Sequence, residues 1–195
     1  MKFILFIATV FMLFSCKNGN TYTKQVKELD SLKVVLQEAV SNFNAIDSVK
    51  CYKNYSEQYT YFNFIRKNLK DTISKTEAEN LQMFVSLGKN MLNYLAKKPK
   101  WAQEANISLK QLTDLSYDLK NGNIENEEAV DFILKEKTQA FKIIDELKTN
   151  TELMRYSLET FTNTLPTVEN IVKKLNNGNL PELDQPQIRL KPKKH

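Results

Sequence analysis

Few side chains here could do covalent chemistry. The chain holds two cysteines, Cys16 and Cys51, and a single histidine, His195, which is its last residue. One imidazole argues against a Ser-His-Asp relay, a histidine-rich zinc site and histidine ligation of haem. Neither a Gly-x-Gly-x-x-Gly turn nor a Walker A loop is present to cradle phosphates. Paired carboxylates could do acid–base work, and Glu125, Glu127 and Glu128 cluster with Asp131 just beyond. That cluster also suits the first turn of a helix, where negative charge meets the positive end of the dipole. Glu136 interrupts an apolar series. It reads as a buried functional acid or, more simply, as a polar residue that sets helix register. The spacing of Tyr52, Tyr55, Tyr59 and Phe62 puts four aromatic rings on one helix face. Such a face suits a partner or ligand surface, because tyrosine is favoured at interfaces, and it equally suits ordinary packing. No metal site, cofactor or catalytic set follows from these residues, so no enzyme is expected.

The thiol at Cys16 has a more specific context. Lys2 precedes a nearly unbroken apolar run from Phe3 to Phe14, and Ser15-Cys16 follows. A charged start, a short apolar stretch and a small residue at the cut make a secretory signal. At about twelve residues the run is too short to cross a hydrocarbon core roughly 30 Å thick, which takes about twenty. Leu13-Phe14-Ser15-Cys16 resembles the lipobox of bacterial lipoproteins, with Phe14 where a smaller residue is usual. The resemblance implies cleavage before Cys16 and acylation of that residue, palmitate being one such chain. Simple secretion and a buried core helix are the alternatives. Two or more acyl chains hold a protein stably on a membrane. If Cys16 carries lipid, Cys51 has no partner for an internal disulfide, and a small buried hydrophobe is its plainest role.

The elements that would position these residues are helical throughout. Residues 1–15 are read as the signal and 16–22 as a tether. From about Thr23, the residues Val26, Leu29, Leu32, Leu36, Val40 and Phe43 recur at steps of three and four. Asp47 or Ser48 caps a second helix that reaches about Leu69. Ser74 and Glu77 form a capping box for a third, with Leu81, Phe84, Gly88, Met91 and Leu95 on one stripe. Pro99 ends that helix on the expectation that proline breaks the hydrogen-bond ladder. A fourth carries Ala105, Leu109, Leu112, Ser116 and Leu119 and stops at Asn121-Gly122. A fifth and longest follows a near-heptad seam from Ala129 to Leu175, and Pro166 should kink or restart it. The prediction is an all-α, antiparallel bundle of about five helices over 23–178, ending in a long coiled-coil-like helix. Residues 179–195 hold Pro181, Pro186, Pro192 and a basic excess, and are expected to stay disordered.

The formal charge of +5 is modest, and part of it lies in Lys2 and the tail. Together with export, this argues against nucleic acid. Ile46-Asp47, the run from Lys70 to Ser74, and Asp118 to Gly122 followed by Glu127 to Ala129 complete the pattern begun by the lipobox. The chain resembles small all-helical lipoproteins of Gram-negative envelopes whose role is unknown. The resemblance implies lipid anchoring in the cell envelope, by default at the outer membrane facing the periplasm, because Lys17 follows the cysteine and no acidic run comes after. The expected function is a tethered interaction or scaffold protein with an envelope protein as partner. Leu158, Phe161, Leu165 and Val168 of the long seam, with Tyr52, Tyr55 and Tyr59, are the candidate contact residues. The alternative is a carrier of small or lipid ligands in an apolar pocket near Tyr55, Tyr59 and Phe84. Asp30-Ser31-Leu32, Asp47-Ser48-Val49 and Asp71-Thr72-Ile73 each resemble the acceptor sequence of an envelope O-glycosylation system, although Asp, Ser and Thr gather at helix starts anyway.

Overall fold

A computed structural model describes residues 22–188, so the signal, Cys16 and His195 lie outside the described residues. Four helices follow one another: α1 (Thr23–Asn44), α2 (Ser48–Asn68), α3 (Lys75–Asn121) and α4 (Asn126–Leu175). Among the described residues there is no strand.

The expected number of five helices is corrected to four, because α3 runs on through Pro99. A proline inside a helix costs about 3 kcal/mol through its missing N–H and its clash with the preceding turn. Packing on both sides of Pro99 offsets this. The ring of Phe43 lies 5.3 Å from that of Tyr94 and meets Trp101 edge-on at 5.7 Å. The Tyr94 hydroxyl also donates to the Phe43 carbonyl at 3.3 Å. One aromatic ring from α1 therefore clamps the turns before and after the proline. In the same way α4 continues through Pro166, flanked by buried Phe161, Thr164 and Val168, instead of restarting there.

Local signals set the ends. The Asp47 carboxylate accepts from the backbone N–H groups of Val49 and Lys50 at 2.9 and 3.0 Å, capping α2. At the start of α3, the Ser74 hydroxyl accepts from Glu77 N–H while the Glu77 carboxylate accepts from Ser74 N–H. Gly122 closes α3 at φ 68°, a conformation that a Cβ disfavours, and Asn123 N–H reaches back to Asp118 O.

The chain divides into two compact units: Met1–Glu38 with Glu104–Ile144, and Ala39–Gln103 with Asp145–His195. In the first, α1 runs alongside α4 in the same direction. Tyr22 bonds Asn126 and, further along both helices, Glu28 pairs with Lys137 at 2.8 Å. The end of α3 runs the opposite way, with Lys120 on Asp30 at 3.1 Å. Leu29, Leu32, Leu36, Leu112, Leu119 and Ile143 fill this core, and Ala105, Ala129 and Ala140 let the helices approach.

In the second unit α3 and α4 are antiparallel. Lys174 meets Glu77 at 2.9 Å, Phe161 stacks on Phe84 at 4.8 Å, and Asn90 bonds Ser157 at 3.2 Å, in that order. Here α2 is buried on most of its circumference, including Asn54, Ser56, Glu57, Gln58 and Thr60. Its polar residues meet a close neighbour at Gly88 of α3, where an added Cβ would lie 2.3 Å from Gln58 Cγ.

Candidate functional site

The chain itself covers part of the tyrosine face of α2. Tyr52 is half-buried and its hydroxyl donates to Pro186 O at 3.4 Å. Further along α2, the Thr60 hydroxyl accepts from Asp184 N–H at 2.8 Å. Residues 179–188 carry no regular secondary structure, and these two bonds hold them to α2. Tyr55 is buried with its ring 6.3 Å from that of Tyr59, and Tyr59 remains exposed. Burial raises the hydroxyl pKa of Tyr55 and pushes that of Tyr61 up to about 12, so both stay neutral hydrogen-bonding groups.

The four seam candidates face inward to different degrees. Phe161 and Val168 are buried, and Leu158 and Leu165 are half-buried. The stacking of Phe161 on Phe84 commits that ring to the core of the second unit. Large apolar side chains are exposed elsewhere on α4. Val130, Leu134 and Phe141 are 62%, 66% and 52% exposed. Steps of four and seven place these three in one strip along the helix, all within the first unit. Lys137 falls in the same strip, with its ammonium drawn aside by Glu28 at 2.8 Å. Its methylenes then extend the apolar surface. The periodicity of the seam marks the buried stripe, and this second stripe consists of apolar residues that the seam leaves over.

Cys51 is fully buried, and burial pushes its thiol up to about 11. That burial keeps the group a protonated thiol at neutral pH. Glu57 is buried beside Lys53, and its carboxyl is raised first by that burial. Glu125, Glu127 and Glu128 are exposed at the start of α4, where Glu125 O accepts from Glu128 and Ala129 N–H. Among the described residues, no group of three or more His, Cys, Asp or Glu could hold a metal ion. Nor is any described helix long and apolar enough to cross a membrane. Of the three Asp-Ser/Thr-aliphatic triplets, Thr72 sits in an exposed non-helical segment. Ser31 donates to Lys27 O within α1, and Ser48 accepts from Lys98.

The chain matches no family model, no curated protein and no solved structure.

Proposed function

We propose that this protein is a helical interaction module of the bacterial cell envelope, tethered by lipid on Cys16 to the outer membrane and facing the periplasm. The observation that carries the reading is the strip of Val130, Leu134 and Phe141 on α4. Single exposed apolar residues are ordinary on any surface. Three in one line, with a neutralised lysine between them, are the kind of surface that an amphipathic helix covers. The occupant in this reading is a helix of another envelope protein, whose own apolar residues at steps of three and four would interleave with the strip. A lipid tether adds to such an encounter by confining the module to the membrane where its partner lies, which raises effective concentration.

The test is crosslinking in cells followed by pull-down from envelopes. It compares the wild type, Cys16→Ser, and a variant combining Val130→Ser, Leu134→Ser and Phe141→Ser. The expected result is one discrete partner that the wild type recovers and both variants lose, while the triple variant keeps its helical circular dichroism. Recovery of only bulk outer-membrane protein, or an unchanged partner in the folded triple variant, overturns the reading. Crosslinks between copies alone would replace it with self-association.

The carrier alternative has less support at the place expected for it. Phe84 is fully buried and stacks on Phe161, and Tyr55 is buried with its ring beside that of Tyr59, so these rings are already engaged with the chain's own side chains.

A further inference from the structure

Residues 179–188 lie on α2 as a strap without regular secondary structure, and both belong to the second unit. Asn177 and Gly178, at φ 51° and 86°, end α4 and turn the chain out of the helix. Asp184 meets Thr60 and Pro186 meets Tyr52, so the strap runs antiparallel to α2. Both contacts are made to its main chain. Thr60, itself buried, accepts the Asp184 N–H at 2.8 Å, and Tyr52 donates to the Pro186 carbonyl at 3.4 Å. Thus α2 offers one acceptor and one donor, matched to a peptide N–H and to the C=O two residues on. Inside a helix both of those peptide groups would be consumed by the helix itself, so this seat suits a non-helical chain. Pro186 is half-buried, and its nitrogen has no N–H that burial would leave unpaired. Pro181 is half-buried as well.

The larger side chains of the strap contribute little to this seat. Leu180, Leu183 and Ile188 are 37%, 42% and 38% exposed, and Asp184 is exposed too. The hold amounts to two hydrogen bonds and two half-buried proline rings, a contact that opens locally without global unfolding. Because α2 reads main-chain atoms, another peptide with the same backbone can take the place of the strap. We propose that the face of α2 from Tyr52 to Thr60 is a receptor for an extended, proline-bearing peptide of a partner, with residues 179–188 as its built-in competitor. Proline holds such a peptide extended beforehand, so docking on an aromatic face orders it at little further cost. Tyr59, exposed beside Tyr55, offers a partner aromatic surface that the chain leaves open. The tether gives the strap a high effective concentration, which keeps weak ligands off the face. This surface does not rest on the helix-docking strip of α4, which belongs to the first unit.

Fluorescence anisotropy of a labelled peptide of residues 179–188, titrated with the full-length protein in detergent, tests the proposal. In the protein, Asp184→Pro deletes the N–H that Thr60 accepts and loosens the strap, while helical circular dichroism stays unchanged. The expected result is saturable one-to-one binding that is several-fold to about tenfold tighter for Asp184→Pro than for the wild type, the effect of one hydrogen bond in the competitor. The same substitution placed in the peptide should weaken its binding to that variant by a similar factor. A peptide with Leu180→Ser, Leu183→Ser and Ile188→Ser should keep its affinity, because the main chain and the prolines are what α2 reads. No saturable binding to the folded Asp184→Pro protein overturns the proposal, and so does equal affinity for variant and wild type. Loss of affinity in the serine peptide would confine the seat to the chain's own segment and overturn a partner's place there. Crosslinks in the wild type between residues 179–188 of one copy and α2 of another would replace the partner peptide with an exchanged arm.

Discussion

Substituting Gly88 by alanine tests the packing of α2 more sharply than any deletion. In a helix interior, Gly→Ala is favourable by about 1 kcal/mol, since alanine loses less backbone freedom on folding. At Gly88 the added methyl meets Gln58 at 2.3 Å from Cγ, 2.3 Å from Oε1 and 2.4 Å from Cδ. The contact with Cγ shows that a swing of the terminal amide is not enough; the side chain must change its first torsion. Gln58 is buried, so a new rotamer has to displace neighbours, at about 1–3 kcal/mol for an overpacked site. The two effects combine to leave Gly88→Ala neutral to about 2 kcal/mol destabilising in the wild type. With Gln58→Ala in place, the obstructing atoms are gone and the same Gly88→Ala change should stabilise by about 1 kcal/mol. The signature is a coupling of about 1–3 kcal/mol in the double-mutant cycle, with the sign of the glycine effect reversed between backgrounds. Trp101, the only tryptophan, lies in the same unit as both residues and reports their unfolding by urea-dependent emission. Additive effects, with Gly88→Ala equally harmful in both backgrounds, would refute the close-approach argument.

Three further outcomes are expected. Ser74→Ala removes one half of the capping box and should lower stability by about 1 kcal/mol, read as a lower urea midpoint with unchanged slope. Glu77 is held down from 4.5 to about 2, first by the hydrogen bond from Lys174 and next by those from Ser74. A depressed carboxyl contributes stability that is present above pH 4.5 and lost as pH falls toward 2; Glu77→Gln should flatten the urea-midpoint profile in that window. Cys51 should resist iodoacetamide at pH 8 in the native protein and alkylate only after unfolding, as peptide mass mapping would show, because burial keeps its thiol protonated. Native-state modification at the rate of a free thiol would contradict the buried placement.

How much of this was legible in the sequence depends on how local each signal is. Asp47, the Ser74–Glu77 box and Gly122 act over two to five residues; the first two start α2 and α3 and the third ends α3, where the pattern predicts. The apolar stripe of α1 was equally readable, since Leu29, Leu32, Leu36 and Phe43 are all buried. Pro99 misled because its penalty is local while the compensation is not: Phe43 lies more than fifty residues away in sequence and packs on both sides of it. Tyr52 belongs to the same class. Its spacing marks a face that wants covering, but only the fold shows that residues 179–188 cover part of it. Glu136 is the informative case. The sequence raises a buried acid against a register residue and has no means to choose, since either would stand at the same seam position. The fold shows the acid buried in the first unit with Oε2 left without a partner. A buried acid without a partner for one oxygen is better replaced by methionine, whose similar volume fills the site with no unpaired acceptor. Glu136→Met should therefore raise the melting temperature, read by circular dichroism on both proteins; a lowered melting temperature would refute the unpaired placement.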